Sequence, residues 1–112
     1  MTKAKSKKLY QKELKKIVAA LQAYRPKKII LFGSMLRLDS PVNDIDLFLV
    51  KETDLVRLGE RANEARSFLP DRKVPVDLII YTPEEIKHEA GRGNVFITEI
   101  LKKGKILYEE KV

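Results

Sequence analysis

Three short apolar runs constrain this chain of 112 residues more than anything else in it: "KIILF" at 28–32, "IDLFLV" at 45–50 and "VPVDLIIY" at 74–81. Each is short for a helix and bounded by turn formers, so each reads as a strand. Two of the runs carry acids. Asp44 and Asp46 stand at the head of the second, and Asp77 lies inside the third. A buried strand has little use for a carboxylate, which is costly to desolvate unless it is paired or bound to a cation.

The segments between the runs supply helices. Tyr10, Leu14, Ile17, Val18 and Leu21 recur at three- and four-residue spacing, which predicts an amphipathic helix over 9–24. Pro26 stops it and pushes Arg25 toward an extended conformation. Gly33-Ser34 breaks the first strand, and a short helix over 34–38 would take Ser34 as its N-cap. "DSPVN", 39–43, is dense in turn formers. A helix over 54–68 would place Leu55, Leu58, Ala62, Ala65 and Phe68 on one side. Pro75 marks the third strand as an edge or as a late starter. "TPEEI" opens a helix with Thr82 as N-cap and Glu85 three residues on. Gly91 and Gly93 interrupt it. A last helix over 94–103 ends at Gly104, and "KILYE" adds a short strand. The order predicts an α+β fold, an α/β sandwich in which helices pack on a small mixed sheet.

Composition bounds the class. With 44% apolar and 35% charged residues, one folded domain is expected. Cysteine is absent, which excludes disulfides and thiolate metal sites. No apolar run approaches membrane-spanning length, and the basic N-terminus lacks the apolar core of a signal peptide, so a cytoplasmic protein is expected. The net charge is +7, unevenly placed. Residues 1–28 carry ten Lys/Arg and one acid, whereas residues 29–112 carry thirteen Lys/Arg and fifteen acids. The expectation is a basic, flexible tail over 1–8 and one domain over 9–112. Such a segment suits RNA, DNA or an acidic protein surface; equally, it is a solvated lysine-rich helix face.

The acids define a candidate site. Residues two apart on a strand share a face, so Asp44 and Asp46 project together while Ile45 and Leu47 enter the core. Adjacent carboxylates repel; a raised pKa or a cation relieves them. A hard ion such as Mg²⁺ suits oxygen ligands and keeps part of its shell for phosphates. If the second and third strands are neighbours, Asp77 lies beside Asp46, and three acids could hold one or two ions for in-line phosphoryl displacement. Gly33 permits a tight turn whose following N–H groups could cradle a phosphate, with the Ser34 hydroxyl adding a hydrogen bond.

The pattern resembles the minimal nucleotidyltransferases of the DNA polymerase β superfamily. Their signature is Gly-Ser, about ten residues, Asp-x-Asp on a strand, then a third Asp on a later strand. Here it stands as Gly33-Ser34, nine residues, Asp44-Ile45-Asp46, and Asp77 in "VDLII". "YTPEEI" and "ILKKGKILYE" are similar to the family as well. The resemblance implies transfer of a nucleoside monophosphate from an NTP, usually ATP, onto a hydroxyl. Asp44, Asp46 and Asp77 would bind Mg²⁺, two ions in all, and Asp77 would help deprotonate the acceptor. Gly33 and Ser34 would hold phosphates, with Arg37 as a cation near them. Family members of this size are often antitoxins encoded beside a HEPN-domain RNase toxin, and some adenylylate a tyrosine of that toxin. The chain departs from the family between the two motifs. Leu36 and Leu38 flank Arg37 where small residues are usual, and the loop is one residue short.

Three functions follow as expectations. The first is an adenylyltransferase acting on a partner protein, with the acceptor surface supplied by that partner or a second copy. The second is an antitoxin that neutralises by contact alone. The third is transfer to or contact with RNA through the basic N-terminus. His88, in a polar helical stretch, reads as a surface residue. Tyr81 and Tyr108 read as packing residues, Arg92 as a loop residue, and Phe32, Phe48 and Phe96 as core.

Overall fold

The computed structural model describes residues 3–36 and 43–111. Helix α1 (Lys3–Leu21) leads through a 3-10 turn (Gln22–Tyr24) into strand β1 (Lys28–Phe32). A second 3-10 turn (Gly33–Leu36) follows, then β2 (Ile45–Val50), α2 (Leu58–Arg66), β3 (Val76–Tyr81), α3 (Pro83–Gly91), α4 (Val95–Lys103) and β4 (Lys105–Glu109). The strands form one mixed sheet in the order β3-β2-β1-β4. β1 runs antiparallel to β2 and β4, and β2 runs parallel to β3. This is the expected α+β architecture.

The sheet is apolar because both faces are covered. On one face Ile29, Leu31, Ile45, Leu47, Leu49, Leu78 and Ile80 meet Ile17 and Leu21 of α1 and Ala62 and Ala65 of α2. On the other, Ile30, Phe48 and Val50 meet Ile97 and Ile100 of α4. The Thr82–Glu85 capping box starts α3 as read from sequence, and Asn94 caps α4 by accepting from the Ile97 N–H. Gly104 then turns the chain tightly against β1. A Cβ there would lie 2.5 Å from Ile30 Cγ2 and 2.5 Å from the Ile100 carbonyl oxygen.

Several local expectations are corrected. α1 begins at Lys3 rather than at residue 9, since the lysines and alanine ahead of the apolar stripe are good helix formers. Arg25 is left-handed, at φ 62°, because its N–H closes the 3-10 turn by donating to the Gln22 carbonyl. α2 is confined to Leu58–Arg66, and Leu58 and Phe68 are exposed. β3 starts only after Pro75 and is an edge strand, so both readings of that proline hold. Phe48 is core, but Phe96 is 45% exposed.

One buried charge escaped the sequence reading. Arg61 is 3% exposed. Its guanidinium donates to the carbonyls of Leu55 and Ile80 and makes two bonds, of 2.6 and 3.0 Å, to the Glu85 carboxylate. It thereby ties α2 and β3 to the start of α3. The signal was an arginine four residues from Ala65 on the apolar side of the helix. The guanidinium holds the Glu85 carboxyl below its usual range. Because that pKa is depressed, the brace is present above about pH 4.5 and is lost as pH falls further. Glu85→Ala should therefore cost about 2 kcal/mol at pH 7 by denaturant unfolding, with the deficit shrinking in acid. A deficit independent of pH would contradict this account.

Candidate active site

The parallel pairing of β2 with β3 decides the site. Its register puts Asp46 directly opposite Asp77. Asp44 lies just ahead of β2, where the Ile45 N–H donates to the Pro75 carbonyl at 2.9 Å and extends the pairing past the strand end. One carboxylate oxygen from each of Asp44, Asp46 and Asp77 lies within 4.8 Å of the others. Asp44 and Asp46 are half-buried and Asp77 is exposed. Among the described residues, none of the three is in an ion pair with Lys or Arg.

Gly33 closes the site from β1. Phe32 pairs with Asp46 across the sheet, so the next residue passes over the Asp46 carboxylate. Gly33 has φ +81°, and a Cβ there would sit 2.1 Å from Asp46 Oδ2. Only glycine meets both demands. Ser34 lies inside the 3-10 turn rather than capping it, and its hydroxyl donates to the Asp44 carbonyl at 3.3 Å. Tyr10 of α1 donates its hydroxyl to the Asn43 carbonyl at 2.8 Å, holding the approach to Asp44 from the other side. Tyr10 read only as part of an apolar stripe; nothing in its spacing signals the hydroxyl's partner. Leu36 packs against the core beneath the turn. Arg37 and Leu38 lie outside the described residues. His88 is exposed on α3 and is not among the acids.

The electrostatics follow from crowding. Burial, then the neighbouring Asp44 and Asp77 carboxylates, pushes Asp46 up to about 6. Burial and the adjacent Asp77 carboxylate raise Asp44 as well. An all-oxygen donor set, mutually repelling and held in place by strand pairing, fits a hard divalent cation.

This fold and this cluster define a nucleotidyltransferase domain. The profile of the family described as "Polymerase beta, Nucleotidyltransferase" matches residues 15–112, and the chain belongs to that family. No curated protein matches the chain significantly by sequence. Among solved structures, the chain is similar to a candidate nucleotidyltransferase of Sulfolobus solfataricus, with 17% identity and a TM-score of 0.53 over 96% of this chain and 84% of that one. It is also similar to a chain of a Shewanella oneidensis complex of tri-AMPylated HEPN toxin with MNT antitoxin, with 24% identity and a TM-score of 0.50 over 89% and 72%. A third similar chain comes from a mutant of the toxin–antitoxin pair MntA-HpeT, with 22% identity and a TM-score of 0.50 over 87% and 73%.

The raised Asp46 carboxyl gives a signed prediction. In EDTA its stability penalty is absent below about pH 4 and grows as pH rises through about 6. Asp46→Asn should therefore raise the Tm of the metal-free protein at pH 8 and leave it nearly unchanged at pH 4. Thermal melts across that range check this; a Tm gain equal at both ends would contradict it.

Proposed function

We propose that this chain transfers a nucleoside monophosphate, AMP from ATP in the first instance, onto a hydroxyl of a partner protein, as the antitoxin of a HEPN-type toxin pair. One observation carries the reading: three acids from two paired strands converge within 4.8 Å, closed by a glycine that only an uncluttered turn could place there. The similarity to an MNT antitoxin solved with an AMPylated HEPN toxin supports the choice of donor and partner by analogy of fold.

Asp44 and Asp46 would hold Mg²⁺ ions, with Asp77 sharing one. Bound there, the ions supply charge neutralisation at the phosphates and the leaving oxygen. The turn at Gly33–Leu36 offers backbone N–H groups to the outer phosphates. Ser34 fixes that turn to the acid-bearing strand through the Asp44 carbonyl. The acceptor hydroxyl would approach from the β3 side, an edge of the sheet on which Asp77 is exposed, and Asp77 would take its proton. The hydroxyl oxygen bonds to the α-phosphorus, the bond from that phosphorus to the bridging oxygen breaks, and pyrophosphate departs with the electron pair.

The test mixes the chain with the protein encoded beside it and ATP labelled at the α-phosphate. Label should enter the partner with Mg²⁺ and not in EDTA. Asp46→Asn should lower incorporation on the order of a hundredfold or more. Undiminished labelling by that variant would overturn the proposal, as would a partner neutralised by the wild-type chain without being labelled.

A further inference from the structure

We infer that the cavity beside Gly33 holds the base of the nucleotide by stacking, and that it does not choose between purines. The inference rests on the transferase reading and deepens it.

The cavity has a volume of about 500 Å³, in the range that takes a small ligand. It runs from Gly33 and Leu36 over Phe32 to Phe96 on α4, with Glu99 and Lys103 also lining it. Strand alternation puts Asp46 on the face shared by Phe48 and Val50, and Asp77 on the face shared by Ile79 and Tyr81. Those residues, and Phe32, pack in the α4-side core. The acids and the cavity therefore open onto the same face of the sheet. Gly33 belongs to both, since it lines the cavity and lies against the Asp46 carboxylate.

The order of the sheet separates the two organic groups of the reaction. Asp77 is on β3, at one edge, whereas the cavity lies over β1 and the start of β4. The acceptor comes to the Asp77 side. In-line displacement sends the pyrophosphate away from that side, onto the Gly33 turn, and the nucleoside, joined to the α-phosphorus off that line, is the organic group left to enter the cavity adjoining the turn.

The cavity wall is aromatic. Phe32 and Phe96 meet edge to face, with ring centroids 5.8 Å apart at 85°. Phe96 keeps 45% of its surface in water, an apolar cost that a stacked base would relieve. Among the described residues, the only charged or polar side chains in the lining are Glu99 and Lys103. They are well exposed and paired with each other at 2.9 Å. Among the described residues, no buried side-chain donor or acceptor lines the cavity. Stacking is tolerant of base identity, whereas strong discrimination needs buried polar partners. ATP and GTP should consequently bind alike.

Binding to the full chain with Mg²⁺ is measured by calorimetry for ATP, GTP and inorganic tripolyphosphate. Wild type should bind ATP and GTP within about fivefold, and both more tightly than tripolyphosphate. Phe96→Ala and Phe96→Leu should each weaken ATP and GTP about tenfold and leave tripolyphosphate unchanged. Phe96→Tyr should restore them. The leucine keeps apolar bulk without a π face, and unchanged tripolyphosphate binding shows that the variants remain folded. Equal affinity for ATP and tripolyphosphate, or ATP binding indifferent to Phe96, would overturn the proposal and leave the cavity to the acceptor. A preference of ATP over GTP beyond a hundredfold would overturn the claim of tolerance. If neither ATP nor tripolyphosphate binds, the transferase reading fails and this proposal falls with it; tripolyphosphate binding without a gain from the base removes this proposal alone.

Discussion

The parallel pairing of β2 with β3 is the interaction on which the candidate site depends. It sets Asp46 opposite Asp77, and the bond from the Ile45 N–H to the Pro75 carbonyl carries the register back to Asp44. A one-residue slip would send these carboxylates to the other face, into the aliphatic core under α1 and α2. The apolar residues alternating with them prevent it: Ile45, Leu47 and Leu49 are fully buried. The same burial that fixes the register thus holds like charges together at the strand ends. Folding without a cation works against that repulsion.

The opposite end of the sheet carries the compensating order. There Arg61 gathers two carbonyls and the Glu85 carboxylate, and the capping box at Thr82 uses the same glutamate. A satisfied, bidentate pair makes this end a rigid anchor for β3. Among the described residues, the acids at the other end have no Lys or Arg partner, and an aromatic cavity lies at their side.

Much of this was legible in the residues. The strands were, because runs of five to eight apolar residues between turn formers have few other uses in a sheet covered on both faces. Gly33, Ser34 and the three acids were legible as types at positions. Their convergence was legible only on the condition that β2 and β3 are neighbours, and parallel pairing is a long-range matter that local pattern does not set. The capping box at Thr82 was read directly, because it is a local device. Phe96 was misread: in a helix whose neighbours Ile97 and Ile100 are core, its apolar character alone points inward. Tyr10 and Arg61 were missed for a related reason. Their function lies in the polar tip of a side chain whose body sits on an apolar stripe, and periodicity registers only the body. Arg25 shows a backbone constraint losing to a local one, since closing the 3-10 turn required a left-handed residue ahead of Pro26.

Asp44, Asp46 and Asp77 are proposed to make one cation site. Crystals grown with Mn²⁺ and a non-hydrolysable ATP analogue test it most directly, since Mn²⁺ takes the same oxygen ligands and scatters anomalously. Anomalous density is expected at the cluster, with Asp44 and Asp46 both in coordination distance and Asp77 sharing an ion with them. Density held by a single carboxylate, or its absence from the cluster while the analogue is bound elsewhere, would contradict it.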